Sequence, residues 1–113
     1  MSQRLRRYRA TLRYLAQAPH PIARAVLRGS DKGLITCLSE CAKNILNGNV
    51  PLTKTQKTKL RSYKTGLRTL VNKSVPIPRK RIVLQRGGFL GALLAPIAAS
   101  VLGPIVGGLL GRR

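Results

Sequence analysis

Three groups of cations are the side chains in this sequence with chemistry to offer. Arg4, Arg6, Arg7, Arg9 and Arg13 fall within ten residues, Lys54, Lys57, Lys59, Arg61, Lys64 and Arg68 within fifteen, and Arg79, Lys80 and Arg81 are contiguous. A guanidinium pairs bidentately with phosphate oxygens, and an ammonium meets them as a compact point charge. The chemistry is neutralisation: each phosphate covered releases a condensed counterion. With 22 Lys and Arg against 2 Asp and Glu, the formal net charge is +20, and a free chain of this charge repels itself. Nucleic acid, double-stranded DNA first, is the expected partner. An anionic membrane surface comes second.

Other chemistries lack parts. Asp31 and Glu40 are the only acids and His20 the only histidine, so neither a general acid–base pair nor a metal-assisted site can be assembled. The chain reads as a non-enzyme with no cofactor and no metal. Cys37 and Cys41, four apart, share a helix face; without a second cysteine pair or a neighbouring histidine they fit small buried residues better than a zinc site. His20, between Pro19 and Pro21, fits a loop. Base-edge readers are scarce too. Only Gln56 and Asn72 stand at the ends of the second basic group, which favours backbone binding without sequence choice.

The elements that must carry these residues read as helices, and the expected fold class is all-α with four or five of them. Residues 1–29 form an arginine-rich arm: Leu5, Tyr8, Leu12 and Leu15 make one apolar stripe, and Pro19 and Pro21 end it before a short helix from Ile22 to Arg28. Residues 30–72 form a helical hairpin. Ser30 or Asp31 caps its first helix, with a stripe of Leu34, Ile35, Leu38, Cys41, Ala42, Ile45 and Leu46, and Asn47-Gly48-Asn49 closes it. Both acids fall in this helix, where they complement its dipole. The pattern Thr53-x-x-Gln56 opens the second helix as a capping box, with Leu60, Tyr63, Leu67, Leu70 and Val71 on one side. Residues 73–86 read as an extended Pro/basic linker, with Arg79–Arg81 as a solvated knot suited to nuclear import or phosphate contact. The opening residues Met1-Ser2-Gln3-Arg4 do not lead into an apolar stretch, so no secretory signal is expected.

Residues 87–113 are a different material. From Gly87 to Gly111 there is no charge, and the sequence repeats in fours as small-small-large-large. On a helix, Gly91, Ala95, Ala99, Gly103 and Gly107 fall in one winding small-residue stripe, a face that lets another backbone approach closely. Twenty-five helical residues would span roughly 37 Å, enough for a hydrocarbon core of about 30 Å. Pro96 and Pro104 should kink or interrupt the helix, and basic residues at both ends leave its orientation in a bilayer unset. Membrane contact through 87–111, or association with capsid or with other copies, is expected over burial in this chain's own core.

Gly87-Gly88-Phe89-Leu90, Ala92-Leu93, Ala95-Pro96-Ile97-Ala98-Ala99, Gly103 and Ile105 resemble the C-terminal segment of the adenovirus precursor X family, the precursors of core peptide mu, and similar proteins of polinton or adintovirus elements. The likeness covers about a quarter of the chain. It implies a viral core protein that condenses DNA in the virion and host nucleus. It also implies a processing site at Gly87, Gly88 and Phe89, cut before Phe89, with Gln85 where the family's maturation protease takes an aliphatic residue. A small membrane-inserting protein, a pore former or disruptor with its basic helices on anionic lipid, is the competing expectation.

Overall fold

Leucines at helical spacing organise the N-terminal arm, and the computed structural model, which describes residues 3–97, turns them into α1 (Gln3–Arg7) and α2 (Arg9–Gln17). Leu5, Leu12 and Leu15 are buried. Tyr8 sits between the two helices at φ −99° and ψ 9°. The ladder nevertheless runs through it: the Tyr8 N–H reaches the Arg4 carbonyl at 3.1 Å, and the Tyr8 carbonyl accepts from Leu12 at 2.8 Å. The arm is bent there, not broken.

Pro19 caps α3 (His20–Arg28), which starts two residues earlier than expected because Pro21 fits a first turn that needs no N–H from it. His20 is therefore a helix residue, not a loop residue. Asp31 caps α4 (Lys32–Leu46), accepting from the Leu34 N–H at 2.9 Å. The expected stripe from Leu34 to Ile45 is buried; Leu46 alone stays exposed. Glu40 lies in mid-helix, too far from the N-terminus to complement the dipole. The end of α4 is a Schellman motif: Gly48, at φ +75°, donates to Ile45 and Asn49 donates to Asn44.

The capping box forms as spelled, with Gln56 N–H on Thr53 Oγ1 at 3.1 Å and Thr53 N–H on Gln56 Oε1 at 3.0 Å. The helix it opens is not continuous. It divides at Tyr63 into α5 (Lys54–Ser62) and α6 (Lys64–Val71). Just beyond the division, the Phe89 ring and Val83 press on Gly66 so closely that a Cβ there would stand 2.8 Å from Phe89 Cε1. The bend at Tyr63 lets its ring meet Phe89 edge-on, centroids 5.4 Å apart at 79°. The hairpin of residues 30–72 consequently closes chiefly through α4 on α6, while α5 turns away to α8.

Two expectations are corrected downstream. Residues 73–86 are not extended: Pro76 and Pro78 fall in a cap and a first turn, where proline is tolerated, and α7 (Ile77–Leu84) follows with Val83 and Leu84 buried. The start of the apolar segment is not held apart from the rest. It forms α8 (Phe89–Ile97), whose Phe89, Leu90, Ala92, Leu93, Leu94, Pro96 and Ile97 are buried against α2, α5 and α4. The described residues are compact, with a Cα radius of gyration of 13.4 Å, against about 13 Å for a folded chain of 100 residues. Burial of α8 supplies the core that the short basic helices lack, and the cations sit on its periphery. The described residues are all-α, with eight short helices and no strand. None of those helices is long and apolar enough to cross a membrane.

Candidate nucleic-acid interface

In α5 the sequence leaves little choice. Of Lys54–Ser62 only Leu60 is buried, so Lys54, Lys57, Lys59 and Arg61 all face solvent. A shallow groove of about 650 Å³ along this helix is lined by those four cations with the hydroxyls of Thr55, Thr58 and Ser62. Cations with hydroxyl donors beside them are the usual equipment for phosphate contact. On α6, Lys64 and Arg68 are exposed and four residues apart, which extends the run along one side of that helix.

The arm presents a second region. Arg4, Arg6 and Arg7 are exposed, while Arg9 and Arg13 are half-buried. The arm is docked by the two acids. The Tyr8 hydroxyl donates to the Asp31 carboxylate at 3.1 and 3.2 Å, and Arg4 Nη1 stands 3.7 Å from Glu40 Oε1. Burial and the Asp31 hydrogen bond raise the Tyr8 phenol above its ordinary pKa. The Leu34 N–H, and then the Tyr8 hydroxyl, hold the Asp31 carboxyl below its own. Arg7 lies 5.9 Å from the Tyr8 ring centroid, within cation–π reach.

The third group does not behave as a solvated knot. Arg79 is exposed, but Lys80 is buried and Arg81 Nη2 donates to the Ser30 carbonyl at 2.8 Å, tying α7 to the α3–α4 connection. Lys80 follows from helical spacing: it lies three and four residues before Val83 and Leu84, on the face that α7 turns inward. Burial pushes its ammonium below the usual lysine pKa. Six cations outside the three groups, Arg24, Arg28, Lys32, Lys43, Lys73 and Arg86, are exposed as well. Their residue type was visible; their scattered spacing gave no cluster to find.

The two regions meet a common support, since α2 and α5 both pack on α8. At the start of α8, Gly87 and Gly88 form an exposed turn, Gly88 at φ +79°, with the Tyr63 hydroxyl donating to the Gly87 carbonyl at 3.3 Å. Phe89, beyond the expected cut, is 1% exposed. Of the small-residue face, Gly91 and Ala95 point to solvent, and a Cβ on Gly91 would meet nothing within 4 Å. Ala99, Gly103 and Gly107, with Pro104, lie outside the described residues. Cys37 and Cys41 are both fully buried; the hydrogen bond with Cys37, and then burial, push the Cys41 thiol up. Compared with protein families, with curated proteins and with solved structures, the chain matches none.

Proposed function

We propose that this protein binds and condenses nucleic acid without sequence choice, double-stranded DNA first, in the manner of a virion core protein. One observation carries the reading. The two acids are engaged inside the molecule, Asp31 with Tyr8 and Glu40 with Arg4, so the exposed cations of α5 and α6 have no acid of this chain beside them. Their counter-charge must come from outside. The binding energy is counterion release, and the hydroxyls of Thr55 and Ser62 add neutral donors to the same phosphates, that of Thr58 being spent on the Lys54 carbonyl.

The test is affinity for duplex DNA across a salt series, with RNA of equal length alongside. If Lys54, Lys57, Lys59, Arg61, Lys64 and Arg68 engage together, log affinity falls by about 5 per decade of salt, and by more if the arm joins them. Scrambling the DNA sequence leaves the curve unchanged. A chain that ignores both nucleic acids in dilute buffer overturns the reading. Leakage of anionic vesicles accompanied by salt-insensitive DNA binding replaces it with the membrane one.

A further inference from the structure

Along α5 and α6 the cations do not stand alone. Lys54, Lys57, Arg61, Lys64 and Arg68 are each followed directly by a hydroxyl residue: Thr55, Thr58, Ser62, Thr65 and Thr69. The five pairs recur at steps of three, four, three and four residues. On an α-helix such a repeat drifts by only about 20° every seven residues, so each set forms a nearly straight row. Each hydroxyl lies one residue, about 100°, round the helix from its cation, and the two rows run side by side. Every one of these residues is exposed except Thr69, which is half-buried. The division at Tyr63 does not interrupt the ladder. The Tyr63 N–H reaches the Leu60 carbonyl at 2.9 Å, and the Tyr63 carbonyl accepts from Leu67 at 3.0 Å.

Stability does not call for this pattern. Serine and threonine are poorer helix formers than alanine, glutamine or glutamate, and these sites lie outside the core. Two of the hydroxyls are engaged within the helix: Thr58 Oγ1 donates to the Lys54 carbonyl at 3.1 Å, and Thr69 Oγ1 to the Thr65 carbonyl at 2.9 Å. Those of Thr55, Ser62 and Thr65 face solvent with no hydrogen-bond partner among the described residues. A cation beside a free hydroxyl offers a phosphate both a charge and a neutral donor. The pairs step by about 5 Å along the helix axis, the scale on which phosphates follow one another along a strand. A helix seated between two strands presents cations on both flanks. Here Lys59 is the only cation of α5 and α6 outside the row.

Given the nucleic-acid reading proposed above, on which this rests, we infer that the outer face of α5 and α6 binds a single phosphodiester strand, either one edge of a duplex or a strand alone. Each phosphate meets a cation of the row, and Thr55, Ser62 and Thr65 donate to the phosphates beside them. The hydroxyls are thus ligands in their own right, and the contact is confined to one strand. An anionic bilayer offers no line of joined phosphates for a straight paired row to follow.

The full chain carrying Thr55→Ala, Ser62→Ala and Thr65→Ala together, titrated with duplex and with single-stranded DNA of equal length across a salt series, tests the assignment. Alanine is the better helix former, so the variant folds as the parent does. Duplex affinity should fall roughly tenfold or more at every salt concentration. The slope of log affinity against log salt should stay that of the parent, because a neutral donor releases no counterion. The single strand should show the same fold loss. Thr58→Ala with Thr69→Ala is the control: those hydroxyls are engaged already, and affinity should stay within about twofold of the parent. Parent-like affinity in the triple variant, or an equal loss in the control, overturns the hydroxyl ligands and leaves counterion release standing. A loss confined to the duplex overturns the one-strand contact. If the parent itself binds neither nucleic acid, the nucleic-acid reading fails and this one with it.

Discussion

Helices α5 and α8 are nine residues each and pack on one another, yet they share almost no property. The first carries four cations and buries Leu60 alone; the second carries no charge and buries seven residues. One is nearly all surface, the other nearly all core. Stability and the proposed phosphate binding are therefore assigned to different stretches of this sequence. A change in α8 should unfold the chain before it alters the binding chemistry, and a change in α5 should do the reverse. The contrast also accounts for how so basic a chain folds at all. Its repulsion is spread over the outside, and the apolar helix concentrates the burial at the centre.

The largest expected effect is on the core side. Phe89 is fully buried, lies against Gly66 and meets the Tyr63 ring edge-on, so Phe89→Ala removes contacts from α6 and α8 together. A loss of about 3–5 kcal/mol is expected from urea unfolding, against total stabilities of about 5–15 kcal/mol for ordinary domains. A loss below about 1 kcal/mol would mean that α8 is not what holds α5 and α6 in place, and the contrast would fail. The surface side comes next. Replacing Lys54, Lys57, Lys59 and Arg61 by Gln should leave the urea midpoint unchanged or raise it, since the four cations repel one another and contribute little to the core. The slope of log DNA affinity against log salt should become shallower by about 3 to 4. An unchanged slope would move the interface away from α5, towards the arm.

The sequence made α4 and α5 legible and α7 and α8 much less so, and the physical reason is the same in both cases. Caps are local. Asp31, Gly48 and the Thr53–Gln56 box act within a few residues of themselves, and each appears where the sequence puts it. What a helix packs against is not local. The prolines at 76 and 78 argue for extended chain, but both fall where a helix start tolerates them. Tyr63, where the helix divides, packs on Phe89, which lies in a different element. The apolar segment looks like a membrane or self-association tail when its own length is weighed alone, because nothing in its composition says that α2 and α5 will cover its first turns. For the candidate interface, charge and spacing identified the exposed cations of α1, α5 and α6. They could not mark Lys80 and Arg81 as turned inward, since that depends on the face α7 presents to its neighbours.

Between the two extremes stands the arm, which is basic outside yet docked to the body through Tyr8 and Asp31, and it gives the smallest effect. Asp31 accepts from the Leu34 N–H and from the Tyr8 hydroxyl, and these hold its carboxyl below its unfolded pKa. A depressed carboxyl adds stability that is present above the unfolded value, about 3.9, and lost as pH falls through the lower folded value. The urea midpoint should therefore be insensitive to this group from pH 7 to about 5 and decline below about 4. Asp31→Asn keeps an oxygen for both donors and removes the titration. At neutral pH the variant should be slightly less stable than the parent, and the two should converge as acid protonates the parent's carboxyl. If the gap between them stays constant down to the acid limit, the carboxylate's charge is not what docks the arm. Leu5, Leu12 and Leu15, buried in the same core as α8, would then hold it with the Arg4–Glu40 pair, and the arm would belong with α8 and not with α5.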